Sequence, residues 1–158
     1  MSTMLNLIEL REGSARDIAV VDLLMQAAFD PRFGEAWTRN QCLGILAMPG
    51  VWLTLAYVDS VPAGFALSRI VMDEVELLLL ATTPTLRRRG VGVALLRSVE
   101  LRAREAGAHS LHLEVREGND AIKLYRRTGL KKVGQRRDYY RGTAGQQFDA
   151  LTFRLSLD

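Results

Sequence analysis

The sequence predicts an α+β chain in which helices pack on a mixed sheet, and three observations carry that reading. Its periodic segments run strand, two helices, three strands, helix, strand, helix, two strands. Leu77, Leu78, Leu79 and Leu80 form a run too continuous for a strand with one wet face, which predicts a strand buried on both faces near the sheet centre. Asp59-Ser60 ahead of Val61-Pro62 supplies turn chemistry between two β-rich segments and predicts a hairpin.

Each element follows from local chemistry. Residues 6–10 read as a first strand and residues 15–29 as a helix, with Ser14 as N-cap and Ile18, Val21, Leu24, Met25 and Ala28 as its apolar stripe. Asp30-Pro31 stops that helix, and Thr38 caps a second one running to residue 47, ended by Pro49-Gly50. Strands follow over 51–58, 63–71 and 75–82. Beyond Pro84 and a basic turn, residues 91–106 read as a helix with Leu95, Leu96, Val99, Ala103 and Ala106 on one side, closed by Gly107. A strand over 110–115, a short helix over 120–127 ended by Gly129, and strands over 130–137 and 148–157 complete the chain.

Residues 1–158 read as one domain, without repeat or linker, and at this length a chain buries roughly 70% of its unfolded surface. No apolar stretch approaches the roughly 20 residues of a membrane span and no leader is recognisable, which predicts a cytoplasmic protein away from membranes. Cys42 is the only cysteine, so an internal disulfide and a cysteine-based zinc site within one chain are excluded. Residues 1–79 hold 5 basic and 10 acidic side chains, whereas residues 80–158 hold 16 and 8. A basic half attracts phosphates, whether of nucleic acid, a membrane surface or a nucleotide, and charge alone does not choose among them.

The local motif does more. A strand ending at Thr82 is followed by Thr83-Pro84-Thr85-Leu86-Arg87-Arg88-Arg89-Gly90-Val91-Gly92 and then a helix. The first turn of that helix offers unpaired N–H donors and partial positive charge, Gly90 and Gly92 permit close approach of a pyrophosphate, and three arginines add potential. The segment matches neither a Walker loop nor a dinucleotide fingerprint. A solvated basic turn is the plain alternative.

Arg87, Gly90 and Gly92 in this strand-turn-helix setting resemble the acetyl-CoA signature of the GNAT superfamily of N-acetyltransferases. Leu113-Glu114-Val115-Arg116, Asn119, the run Ala121-Ile122-Lys123-Leu124-Tyr125 and Arg136-Arg137-Asp138-Tyr139-Tyr140-Arg141 resemble that family's second half. The likeness is greatest to its bacterial members that acetylate the N-terminal alanine of a ribosomal protein. It implies a central, mostly antiparallel sheet of about seven strands flanked by about four helices, with acetyl-CoA as acetyl donor and no metal. Leu80, Ala81 and Thr82 would pair with pantetheine, and Thr82 would offer an amide to the oxyanion. Arg87, Arg88, Arg89, Gly90, Val91, Gly92 and Val93 would hold the pyrophosphate, with Asn119 and Tyr125 also at the cofactor. Thr83 stands where relatives often carry an acid.

A protonated amine cannot attack a thioester, and a departing thiolate leaves more readily with a proton. By the resemblance, Glu114 would take the amine proton, directly or through water, and Tyr125 would protonate the sulfur. Glu76 is a reserve base. Trp37, Glu76, Tyr139 and Tyr140 would border the acceptor, a protein or peptide N-terminus. The path from Asn119 to Ala121 is one residue shorter than the family pattern, so Asp120 is expected to cap the short helix and Gly118 to absorb the change. His109 and His112 supply too few convergent ligands for a metal and read as polar residues near the acceptor groove. Three rivals stay open: a small-molecule amine acceptor, a CoA-binding protein without catalysis, and a nucleic-acid-binding module using the basic half.

Overall fold

The structure, a computed structural model, describes residues 7–87 and 89–158. Strand β1 (Ile8–Gly13) leads into a 3-10 turn (Ala15–Asp17) and helix α1 (Ile18–Ala28). Ser14 and Asp17 close a reciprocal capping box at that turn, so the predicted start is met by 3-10 geometry before the α-helix begins. Helix α2 (Arg39–Leu46) opens with a second box, Thr38 against Gln41. Strand β1 reaches three residues further than the sequence reading, and Asn6 lies outside the described residues.

Strands β2 (Val51–Val58), β3 (Val61–Val71) and β4 (Glu74–Thr82) form a meander. Asp59 and Ser60 adopt φ of 50° and 66°, the left-handed pair that matches a two-residue hairpin turn to strand twist. Helix α3 (Val91–Glu105), strand β5 (Ser110–Arg116), helix α4 (Ala121–Arg127), strand β6 (Lys131–Arg141) and strand β7 (Gln147–Ser156) follow. The seven strands lie in the order β1-β2-β3-β4-β5-β7-β6, and every neighbour pair is antiparallel except β4 with β5. The expected α+β architecture is borne out.

A bulge in β4 explains the four-leucine run. Leu79 pairs with Leu67 but Leu77 pairs with Ser68, leaving Leu78 as an extra residue. One inserted residue reverses which face later side chains occupy. Val75 and Leu77 therefore join Leu95, Leu96 and Val99 in the core beneath α3, whereas Leu79 and Ala81 join Val21, Leu24 and Met25 in the core beneath α1 and α2. The two cores sandwich the sheet, which fixes the ends of β4 and β5 firmly enough to carry chemistry.

Candidate active site

The site begins where strand pairing stops. β4 and β5 are in register from Glu74 with Ser110 to Leu77 with Leu113, and no further. Beyond that point β4 continues to Thr82 and β5 to Arg116, so a gap opens in the middle of the sheet. Thr83 N donates to Ala63 O of the β3 side at 2.9 Å. Because successive strand amides point to opposite edges, those of Thr82 and Leu80 point into the gap.

At the mouth of the gap stands the N-terminus of α3. Gly90 is its N-cap, with φ of 82°, a left-handed conformation that costs a residue with a Cβ about 1–2 kcal/mol. The first helical bond runs from Ala94 N to Gly90 O at 2.9 Å, and no side chain caps the turn. The amides of Val91, Gly92 and Val93 thus precede the helical ladder and lack intrahelical partners, the arrangement an anion can use. Gly92 has a packing task as well: a Cβ there would lie 3.0 Å from Leu124 Cδ2, so the missing side chain lets α4 approach α3. Arg87 and Arg89 are exposed beside the turn, and Arg87 reaches Ala28 O at 3.4 Å at the end of α1. Arg88 lies outside the described residues.

On the β5 side the strand alternation sends His112, Glu114 and Arg116 to one face. Glu114 is nearly buried and its Oε1 lies 2.8 Å from Arg136 Nε of β6. Arg116 is buried: its Nε donates to Glu35 Oε1 at 2.9 Å, and its guanidinium stacks on the Phe33 ring, 3.7 Å from the centroid. Glu35 Oε2 accepts from Asn119 Nδ2 at 2.7 Å. Asn119 Oδ1 in turn accepts from Ala121 N at 2.8 Å. Asp120 therefore does not cap α4 as expected; its own backbone is helical and makes no side-chain cap, and Asn119 does that task. Gly118, with φ of 88°, takes the turn in the shortened loop. The Asn119 side chain is thereby turned to Glu35 and Ala121.

Tyr125 projects from α4 into this region with only 5% of its surface exposed. Burial pushes its phenol well above the usual tyrosine range, with the Glu35 charge and Tyr140 adding to the shift. Tyr140 is shifted the same way, first by burial and then by Glu35 and Glu114. Both phenols are consequently proton-bearing at neutral pH. Tyr139 and Tyr140 meet edge to face at 5.0 Å, with Tyr139 half exposed. They follow a second bulge, in which Arg136 pairs with Ala150 and Tyr140 with Phe148 while Asp138 adopts φ of 54°. Asp149 holds that bulge by accepting from Asp138 N at 2.9 Å and Gln135 Nε2 at 2.6 Å, and the first of these bonds keeps its carboxyl below the usual range.

Two loops close the neighbourhood. Phe33 meets Phe148 edge to face at 5.3 Å, and Thr143 N donates to Pro31 O at 3.3 Å. A Cβ on Gly142 would fall 1.8 Å from Arg32 O, so only glycine permits this approach. The structure thus brings Glu114, Tyr125 and Tyr140 together with Glu35, which the sequence reading passed over. Glu76 pairs with His112 one rung further down the sheet. Trp37 packs on the core beneath α1 and α2 and lines a shallow groove of about 360 Å³ on α2 with Asn40, Gln41, Gly44 and Ile45. His109 precedes β5 at the opposite end from Glu114 and bonds Asp158 through Nδ1. Cys42 is buried, and burial raises its thiol above the usual range.

Residues 18–130 match the model of the acetyltransferase (GNAT) family. The chain belongs to this family. This GNAT chain is 38% identical over 94 residues to the [ribosomal protein bS18]-alanine N-acetyltransferase of Haemophilus influenzae, and 38% over 96 residues to that of Escherichia coli K12. Each alignment covers 60% of this chain and 64% of the relative, so somewhat under two thirds of those curated relatives is spanned. Among solved structures, the ribosomal-protein-S18-alanine N-acetyltransferase from Escherichia coli superposes with a TM-score of 0.84 at 26% identity, covering 96% of this chain and 95% of that one. The family read from Arg87, Gly90 and Gly92 is borne out, as is the subgroup resemblance.

Glu35 and Arg116 are what sequence reasoning missed. Arg116 had a signal: it follows His112 and Glu114 at even spacing, hence shares their face. Glu35 sits in a loop with no periodicity, and nothing local marks it.

Proposed function

We propose that this GNAT chain transfers the acetyl group of acetyl-CoA to an N-terminal α-amine, that of an alanine on a ribosomal protein, in the cytoplasm. The observation that carries the reading is the gap between β4 and β5, with a nearly buried carboxylate on one strand and a buried, proton-bearing phenol on the adjoining helix. The names of the bS18-alanine N-acetyltransferases support the acceptor class.

Acetyl-CoA, when bound, supplies the activated acyl group, and the residues present fit it. Val91, Gly92 and Val93 offer amides to a pyrophosphate at the α3 terminus, and the edge amides of Leu80 and Thr82 suit an extended amide-bearing arm. Thr82 N–H would steady negative charge developing on the carbonyl oxygen. Glu114 would accept the proton of the attacking amine, directly or through water, with Arg136 steadying its position. A free α-amine has a pKa of about 8, so a modest base is enough. Tyr125 would deliver its proton to the departing sulfur, and its phenol carries that proton at neutral pH.

The test is thiol release from acetyl-CoA with peptides bearing Ala, Ser or Met N-termini, alongside free lysine and spermidine. Release with the alanine peptide alone, or most strongly, supports the reading. Release only with spermidine or lysine moves the assignment to small-amine or side-chain acylation, and no release at all leaves a binding role.

A further inference from the structure

Below Glu114 the same face of the sheet carries a polar rung. Arg69 of β3 pairs in register with Glu76 of β4, and Glu76 with His112 of β5. His112 stands two residues before Glu114, so the rung lies about 7 Å further along the strand. A cavity of about 280 Å³ opens there, completed by Met72, Asp73 and Glu74 from the β3–β4 turn. Three carboxylates against one guanidinium leave its lining net acidic. Arg69 Nε is shielded from solvent and has no hydrogen-bond partner among the described residues. Glu76 and His112 approach only to 3.8 Å, too far for a hydrogen bond, and both remain partly open to solvent.

We propose that this cavity is a subsite for the third or fourth residue of the acceptor polypeptide and favours a basic side chain there. The inference rests on the N-terminal-acceptor reading above. An extended chain advances about 3.3 Å per residue, so an acceptor whose amine meets Glu114 sets its third residue beside His112, and one more step crosses the roughly 4.8 Å to the strand of Glu76. A lysine or arginine side chain then meets Glu76, Glu74 and Asp73. An acidic side chain would add a fourth carboxylate to the cavity and is disfavoured.

The experiment compares kcat/KM for three peptides with N-terminal alanine that differ only at residues three and four, carrying Lys-Lys, Ala-Ala or Glu-Glu. The order Lys, Ala, Glu is expected, with about fivefold between successive members, the size of a partly exposed charge pair. In Glu76→Gln and in Glu74→Gln the Lys-to-Glu ratio shrinks, the Ala-Ala peptide serving as internal reference for any general change in turnover. Equal kcat/KM for all three peptides, or a ratio unchanged in both variants, overturns the subsite while leaving N-terminal acetylation intact. Transfer to none of them overturns the underlying reading and the subsite with it.

Discussion

Glu35 Oε1 sits 2.9 Å from Arg116 Nε, joining the loop between α1 and α2 to the end of β5 across 81 positions of sequence. Both side chains are about nine-tenths buried, and Glu35 also holds Asn119, which caps α4. The α1–α2 loop and the helix bearing Tyr125 are therefore tied to one carboxylate.

Replacing that carboxylate leaves a buried guanidinium unpaired. Glu35→Ala is expected to cost about 3 kcal/mol, and for a chain of this size to lower Tm by about 6–12 °C. Glu35→Gln keeps an acceptor for Arg116 and Asn119 and loses less. Denaturant and thermal unfolding of the two variants check the ranking; equal losses would show that charge plays no part.

Gly142 gives a separate handle on the same region. Gly142→Ala sets a methyl group against Arg32 O, where the gap is 1.8 Å, and must push the β6–β7 loop off the α1–α2 loop. The expected outcome is a higher KM for the acceptor with the dissociation constant of acetyl-CoA nearly unchanged, because the α3 turn lies elsewhere. Steady-state kinetics with calorimetric titration of acetyl-CoA measures both.

Tyr125→Phe removes the proposed acid while keeping the ring against Phe153. Turnover should fall by about 100-fold, with acetyl-CoA affinity held and stability changed by less than about 1 kcal/mol. Unchanged turnover in single-turnover kinetics would take the role from Tyr125.

The phenols also predict a titration. Burial favours the neutral form of Tyr125 and Tyr140 in the folded chain, so their folded pKa values lie above the unfolded value of about 10. Their contribution to stability is complete below that value and is lost as pH rises from it through the folded pKa. Tyrosinate absorbance followed from pH 9 to 12 should show a late phase that shrinks in both Tyr125→Phe and Tyr140→Phe, with unfolding accompanying it.

His109 titrates at the other end of the sheet. The Asp158 carboxylate bonded to Nδ1 raises its pKa, with Asp73 adding to the shift. Its contribution to stability is present below the unfolded pKa of about 6.5 and is lost as pH rises through the higher folded one. Asp158→Asn should move the His109 imidazole titration down by NMR and leave the pH dependence of kcat untouched, since Glu114 is remote from it.

The sequence by itself determined the element order, the N-caps Ser14 and Thr38, the hairpin at Asp59-Ser60 and the glycine turn that opens α3. Each of these rests on neighbours within a few residues, where propensity, capping and turn geometry act directly. The family resemblance likewise lay in short local runs. Only the tertiary structure decided how far β4 and β5 pair, because the gap depends on a bulge at Leu78 that no local rule places. It also decided that Glu35 belongs beside Arg116, that Asn119 rather than Asp120 caps α4, and that His109 meets Asp158. Those are relationships between residues distant in sequence, fixed by which buried charges and ring faces can be satisfied together once the sheet has closed around them.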